Sequence, residues 1–173
     1  MKGGFLLLVV LFLSLGFFLL GGNRKVQRTF FFPEVKAPRR EFEVTVSGEE
    51  RLIPRQGKVL ENIRLLVEEV ILGPLSHTHT RLISAETKVY SLVLDQSVLY
   101  LNLSGDMLEL DPQVALPVEV QIQALGNTVL FNFPFLKKIF IFVEGQIPDF
   151  GVTHGQQSHN FSDGVSYSTV ILK

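Results

Sequence analysis

A long uncharged stretch near the start of the chain restricts the fold more than any other sequence feature. Residues 3 to 22 contain no charged side chain and consist mainly of leucine, phenylalanine and glycine. Twenty residues at a helical rise of ~1.5 Å span ~30 Å, the thickness of a bilayer's hydrocarbon core. The segment predicts one membrane-spanning helix, and a single such stretch in 173 residues excludes a multi-span transporter.

A cleaved signal peptide is the competing interpretation of this segment. Signal peptides have a shorter apolar region of ~7–15 residues and small residues at positions −3 and −1 of the cleavage site. Here Leu19 or Leu20 would occupy position −3 ahead of Gly21 or Gly22. The sequence therefore favours an uncleaved signal-anchor at residues 1–25. No cysteine is present, which excludes anchoring through a lipid-modified cysteine.

The remaining residues, 26–173, have the composition of one ordinary soluble domain. The whole chain is 46% hydrophobic with a mean hydropathy of +0.30, and residues 3–22 account for the excess. Residues 26–173 hold 13 Lys+Arg (16 minus Lys2, Arg24 and Lys25) and 17 Asp+Glu, a net charge of −4. Nucleic acid is not an expected partner, because the domain is mildly acidic and lacks a basic stripe.

Alternating side chains predict two strands at the start of this domain. The first covers residues 26–32 and ends at Pro33. Its three consecutive phenylalanines are interpreted as core residues rather than as an aromatic anchor at a membrane interface. A period of two over residues 42–47 predicts a second strand that ends at Ser47–Gly48, with a separate short extended piece at residues 51–54.

A helix and a hairpin are predicted next. Residues 88–94 and 97–103 form the hairpin across Asp95–Gln96, and alternate leucines of the second arm share one face. The helix before it ends at Gly73–Pro74, because glycine adopts left-handed conformations and proline cannot continue a helix. Its apolar face is marked at spacings of three and four by Leu60, Ile63, Leu66, Val67, Val70 and Ile71.

The second half predicts one long helix and two strands. The helix covers residues 113–131 after a start at Asp111–Pro112, with Pro117 either in its first turn or at the beginning of its regular part. Residues 137–144 contain a continuously apolar run at 139–143, which predicts a central strand covered on both faces. After a polar loop, residues 165–172 predict a final strand. The order β-β-α-β-β-α-β-(β) indicates a single α+β domain with two main helices packed on one β-sheet.

Three short motifs follow one another along this domain. They are the helix end Leu72–Gly73–Pro74 with Leu82–Ile83–Ser84, the strand 98–104 ending in Asn102–Leu103–Ser104, and the helix 123–129 that continues through Phe133–Pro134 into the strand 139–145. In order and spacing they resemble the GerMN domain, the extracytoplasmic module of sporulation and spore-germination proteins and of other bacterial envelope proteins. The match covers about residues 28–146 and leaves 147–173 as a C-terminal extension. Asp95–Gln96, where an Asp-Gly turn is common, is a departure from the pattern.

The resemblance implies a non-catalytic domain rather than an enzyme. Its implied fold is GerMN-like, similar in architecture to the ring-building motif of domains that assemble into envelope complexes. The matched residues have implied structural roles: Gly73 and Pro74 end a helix, Ser104 turns the chain after a strand, and Asn127 and Thr128 tie the second helix to a neighbouring loop. The resemblance also implies that the domain is delivered outside the cytoplasm.

Charge and resemblance disagree about the orientation of the anchor. Arg24, Lys25 and Arg28 follow the apolar segment, and the positive-inside rule places such residues in the cytoplasm. A first apolar segment close to the N-terminus commonly exports the chain that follows it, in agreement with the resemblance. The predicted localisation is therefore the cell membrane, single-pass, with residues 26–173 extracytoplasmic.

No catalytic, cofactor-binding or metal site is predicted. His77 and His79 could form a zinc site with His154 and His159, but all four lie in polar stretches without ligand spacing and are interpreted as solvated loop residues. The sequence contains no nucleophile elbow, phosphate loop or dinucleotide fingerprint. Ser104–Gly105–Asp106 is interpreted as a turn, because no histidine is nearby in the sequence.

The predicted function is a membrane-anchored extracytoplasmic module that binds or assembles with other cell-envelope proteins, with sporulation or germination as the implied process. Expected partners are envelope proteins, the membrane through the N-terminal helix, and further copies in a homo-oligomer or ring. The alternative is a module that binds cell-wall glycan (peptidoglycan) or a small ligand, through Phe131, Phe133 and Phe135 if those rings are exposed. An envelope hydrolase is a third class, which no catalytic constellation supports.

Overall fold

The computed structural model describes residues 24–34, 45–109 and 116–148. The predicted span at 3–22, the helix start at Asp111–Pro112 and the final strand at 165–172 lie outside these ranges. Within them, no helix combines the length and the apolar character needed to cross a membrane.

A two-stranded antiparallel sheet opens the described part of the chain. Strand β1 (Lys25–Pro33) pairs along its length with β2 (Val46–Pro54). The predicted end of the second strand at Ser47–Gly48 is wrong, because β2 continues through both residues and includes the separate piece at 51–54. Gly48 keeps room for side chains of β1, since a Cβ there would lie 3.0 Å from Cγ2 of Thr29.

Helix α1 (Val59–Leu72) follows the predicted apolar face. Five of the six predicted residues are buried, whereas Leu60 in the first turn is 37% exposed and the prediction for it is wrong. The helix ends at Gly73 as predicted, with a φ of 91° that favours glycine. A Cβ on Gly73 would also lie 3.1 Å from a guanidinium nitrogen of Arg81.

The second sheet has three described strands in the order β3-β4-β5. The predicted hairpin is confirmed as β3 (Val89–Asp95) and antiparallel β4 (Val98–Leu103), with Gln96 at a φ of 51° in the turn. Strand β5 (Lys138–Val143) runs parallel to β4. Among the described strands β4 is central, and β5 has one described neighbour. The predicted central position of residues 137–144 stays a prediction, because the predicted strand at 165–172 lies outside the described residues.

The apolar residues of β5 lie on two faces of the strand with different environments. Ile139, Ile141 and Val143 are buried in the core. Phe140 and Phe142 alternate with them on the other face, where both are half-buried. An apolar run of this kind therefore does not require a helix on each side of the strand.

Helix α2 (Val118–Asn132) forms the crossover between the parallel strands β4 and β5. Pro117 immediately precedes it, so the regular helix begins after that proline. A 3₁₀ helix (Gly105–Leu108) follows β4. The described elements confirm the α+β class, but their five strands lie in two sheets rather than one. One hydrophobic cluster joins both sheets and both helices, and its fully buried side chains include Phe30, Phe32, Leu66, Leu101 and Leu125.

Candidate interaction surfaces and the junctions that support them

The described histidines occupy different environments. His77 is exposed, as predicted. The prediction that His79 is solvated is wrong: 9% of its side chain is exposed, Nε2 lies 2.8 Å from Oγ of Ser47, and Nδ1 lies 3.3 Å from a carboxylate oxygen of Glu49. His154 and His159 lie outside the described residues. Within the described ranges, no group of three or more His, Cys, Asp or Glu side chains could hold a metal ion.

Arg51 on β2 is a buried cation with 4% of its side chain exposed. Its Nε donates to Glu49 at 2.5 Å, and Nη2 donates to the carbonyl of Gly73 at 2.8 Å. The guanidinium lies over the rings of Phe30 and Phe32, 4.7 Å and 5.1 Å from their centroids. This single side chain thereby joins β2, the core face of β1 and the end of α1.

The carboxylate of Glu49 holds the chain where it leaves α1. It accepts the backbone N–H groups of Leu75 at 3.1 Å and Ser76 at 3.0 Å. Burial alone raises the pKa of Glu49, but the N–H of Ser76, the guanidinium of Arg51 and the N–H of Leu75 together hold the pKa below its ordinary value. The ionised carboxylate is therefore part of the folded structure.

This lowered pKa predicts a loss of stability in acid. A carboxylate with a depressed pKa stabilises the fold above its unfolded pKa of ~4.3, and that contribution disappears as the pH falls through the folded value. We expect Glu49→Gln to reduce the decline in unfolding free energy between about pH 5 and pH 3, measured by urea denaturation. Glu86→Gln, at an exposed carboxylate, is the matched control. An equal decline in the wild type and in Glu49→Gln would contradict this role for Glu49.

The last two motifs meet at the carboxyl end of β4 and β5. Glu144 accepts the N–H of Gly105 at 2.7 Å and the hydroxyl of Tyr90 at 3.1 Å. The hydrogen bond to Glu144 is the main reason why the pKa of Tyr90 is raised. Asn102 accepts the N–H of Gly145 at 2.9 Å. The motif residues at this end therefore fasten two parallel strands to the turns that follow them.

Ser104 turns the chain after β4, as the resemblance implies. Its buried hydroxyl accepts the N–H of Lys88 at 2.9 Å and donates to Asp106 at 2.6 Å. Ser104 and Asp106 therefore stabilise a turn, in agreement with the interpretation of the sequence.

Two side chains of α2 satisfy the edge of β1 that faces away from β2. Thr128 accepts the N–H of Phe31 at 3.1 Å, so it ties the helix to a strand rather than to the predicted loop. Asn132 accepts the N–H of Thr29 at 3.0 Å and donates to the carbonyl of the same residue at 2.6 Å. Asn132 was not part of any of the three motifs. The sequence feature that could have identified it is the spacing of four residues between Thr128 and Asn132, two polar side chains on an otherwise apolar helix face.

The aromatic segment after α2 divides into buried and exposed rings. Phe133 is 5% exposed and lies under the guanidinium of Arg28, 4.5 Å from its centroid. Phe131 and Phe135 are 62% and 44% exposed. Phe131 meets Phe31 edge-on at 5.4 Å. Two of the three rings suspected as a ligand-binding surface are therefore accessible.

The face of the second sheet that points away from the core carries an apolar row. Val93 on β3, Tyr100 on β4 and Phe140 on β5 are paired in register, and we call these three residues the outer sheet face. Val93 is 54% and Tyr100 is 37% exposed. The rings of Tyr100 and Phe140 stack at 5.3 Å. Contiguous exposed apolar groups of this kind are typical of interaction sites.

Comparison with known proteins connects this geometry to one fold. No protein-family model matches the sequence, and no curated protein matches it. The first GerMN domain of the sporulation protein GerM from Bacillus subtilis aligns with a TM-score of 0.58 and 13% identity, over 82% of this chain and 98% of that chain. The tandem GerMN domains of the same protein align with a TM-score of 0.53 and 14% identity, over 70% of this chain and only 40% of that chain.

A third solved structure is less similar. A Clostridium perfringens protein with the provisional name of lipoprotein aligns with a TM-score of 0.44 and 19% identity, over 72% of this chain and 78% of its own. At the identities of the two GerM structures the similarity concerns the fold alone. The fold that the three motifs implied is confirmed: the chain has a GerMN-like fold.

Proposed function

We propose that this chain is a membrane-anchored, extracytoplasmic and non-catalytic module that assembles with other cell-envelope proteins through its outer sheet face. The observation that carries the proposal is the row Val93–Tyr100–Phe140, which lies across three strands and is partly open to solvent. The GerMN-like fold, found in a sporulation protein, supports sporulation or germination as the process.

The surroundings of the outer sheet face have the organisation of a protein interface. Asp95 and Lys138 flank Val98 in the next row of the same face and carry opposite charges. An apolar centre with a polar rim is characteristic of protein interfaces, in which aromatic residues are enriched. A partner that covered Val93, Tyr100 and Phe140 would remove their apolar surface from water, a favourable contribution of about 25 cal/mol per Å² that is partly offset by the entropy cost of association.

The apolar segment at residues 3–22 supplies the second part of the proposal. Tethering a binding domain to the bilayer raises its effective concentration for partners in the same membrane. Weak contacts at the outer sheet face are then sufficient for assembly. A second copy of the chain is one such partner, and it would lead to a homo-oligomer or ring.

Site-specific crosslinking in the membrane tests the proposed face. The chain contains no cysteine, so Tyr100→Cys carries a unique reactive position. We expect a maleimide-linked photo-crosslinker at this position to capture envelope proteins or a second copy. The same probe at Glu68→Cys, on the exposed side of α1, is the control and should capture neither. A carboxylate in an apolar contact costs a few kcal/mol, so adding Val93→Asp should lower the Tyr100→Cys adduct at least tenfold.

Two outcomes of this experiment would count against the outer sheet face. Equal capture from Tyr100→Cys and Glu68→Cys would show that the contact is unspecific. Adduct formation that is insensitive to Val93→Asp would place the partner elsewhere on the domain.

A glycan-binding module is the second candidate, favoured by the exposure of Phe131 and Phe135. Exposed aromatic rings can stack on the apolar faces of sugars. If this candidate holds, the full chain co-sediments with isolated peptidoglycan, and Phe131→Ala with Phe135→Ala abolishes the co-sedimentation. Leu75→Ala, at a side chain that is 76% exposed, is the control. The absence of co-sedimentation by the wild type would remove this candidate.

A further inference from the structure

We infer that the open end of the β1–β2 sheet rests on anionic lipid headgroups of the membrane that holds the chain. We call the four exposed cations Arg24, Lys25, Arg55 and Lys58 at this end the basic end. The inference rests on the proposed function, because it requires residues 3–22 to lie in the membrane.

The distance between the apolar segment and the folded domain is very short. The carbonyl of Arg24 accepts the N–H of Arg55 at 2.7 Å, and Lys25 lies opposite Pro54 in the sheet. Only Asn23 separates Arg24 from Gly22, the last residue of the apolar segment. A fully extended chain covers at most ~3.6 Å per residue, so Arg24 lies within ~7 Å of Gly22. A bilayer that holds the segment must therefore meet this end of the sheet.

The charge of the basic end is suited to anionic lipids. Its four cations are exposed, and within the described part of the chain one of them forms an ion pair, Lys58 with Glu61 at 3.4 Å. Arg28 adds a fifth positive charge, and burial together with the nearby charge of Arg55 lowers the pKa of Arg28. This local excess contrasts with the net charge of −4 over residues 26–173. Each Lys or Arg near an anionic membrane surface favours the docked state by about fivefold.

Docking at this end fixes which parts of the domain face away from the bilayer. From Lys25 to Pro33, β1 rises ~26 Å at ~3.3 Å per residue. The N–H of Thr80 donates to the carbonyl of Pro33 at 2.9 Å, so the loop that contains His77 lies at the far end of the sheet. A probe at the basic end and a probe at His77 are therefore expected to lie at different heights above the lipid.

Two single-cysteine variants of the full chain measure this difference. Gly57→Cys lies between Arg55 and Lys58, and a Cβ there meets open space. His77→Cys is the control at the exposed far end. Each carries a fluorophore in vesicles of phosphatidylcholine with about one third phosphatidylglycerol and a headgroup spin-label quencher. We expect quenching at Gly57→Cys to exceed quenching at His77→Cys at least threefold. The excess should fall in pure phosphatidylcholine and at high salt.

A charge reversal tests the cause of docking without changing the flanks of the apolar segment. Arg55→Glu with Lys58→Glu keeps Arg24 and Lys25, and we expect it to lower quenching at Gly57→Cys at least twofold. Quenching there should still exceed that at His77→Cys, because the short connection to the apolar segment is unchanged. The control, Lys88→Glu with Lys137→Glu, changes net charge equally at other exposed lysines and should have no effect. In an anchored chain, equal quenching at both probes, or insensitivity to the Arg55/Lys58 reversal, overturns this inference alone. A chain that stays in the aqueous fraction overturns the proposed anchoring and the inference together.

Discussion

Arg51→Met is expected to lower the free energy of unfolding by about 3–5 kcal/mol, because it removes one partner of a buried ion pair. Methionine preserves most of the apolar packing against Phe30 and Phe32 but leaves Glu49, whose side chain is 10% exposed, without its cation. The carbonyl of Gly73 also loses its donor from Nη2. The unpaired carboxylate of Glu49 and the unbonded carbonyl of Gly73 both lower the free energy of unfolding.

Urea denaturation followed by circular dichroism measures this loss. The matched control is Arg64→Met, since Arg64 and Glu68 form an exposed pair at 3.9 Å and such pairs contribute at most about 1 kcal/mol. Arg51→Lys should be intermediate, because an ammonium keeps the charge but cannot reproduce the planar set of contacts. If Arg51→Met and Arg64→Met lowered stability by the same amount, the buried cluster would have no special structural role.

Asn132→Ala is expected to cost about 3 kcal/mol, because the buried amide of Asn132 serves three backbone groups at once. The substitution removes the hydrogen bonds of the Asn132 amide to the N–H and to the carbonyl of Thr29. It also removes the hydrogen bond from Nδ2 to the carbonyl of Thr128, which is 2.7 Å long. An unsatisfied buried polar group costs ~1–3 kcal/mol. Hydrogen exchange at the amide of Thr29 should accelerate together with the loss of stability.

Asn127→Ala is the control for this substitution within the same motif. Asn127 is half-buried on the same helix, and alanine has the higher helix propensity, so its effect should stay within about 0.5 kcal/mol. A loss in Asn127→Ala as large as that in Asn132→Ala would mean that the helix, rather than its contact with β1, responds to the change.

Sequence periodicity was sufficient to place both helices and the hairpin, because their core faces repeat within a few residues. It also predicted the strand β5 but not its neighbour, since an apolar run indicates burial without indicating which strand lies beside it. The neighbour of β5 depends on the crossover through α2, which pairs Phe140 with Tyr100 across a long sequence separation. Ser47–Gly48 was misread for a related reason. A glycine that makes room for Thr29 of the opposite strand cannot be distinguished locally from a glycine that ends a strand.

The candidate surface was predictable in part. Alternation in β4 already placed Tyr100 on the face opposite Leu99 and Leu101, whereas the row with Val93 and Phe140 required the register of three strands. The burial of Arg51 could not be inferred, because a cation next to two glutamates in the sequence is typical of a solvated turn. Only the close approach of α1 and the rings of β1 removes it from water.

The side of the membrane on which the domain lies is the central question, since envelope assembly requires an exported domain. Fusing a reporter enzyme that is active only outside the cytoplasm to Lys173 answers it directly in a bacterial host. The measurement is decisive because Arg24, Lys25 and Arg28 would retain the domain in the cytoplasm under the positive-inside rule. Reporter activity in the membrane fraction is the expected result. A full-length fusion without activity would contradict the proposed function.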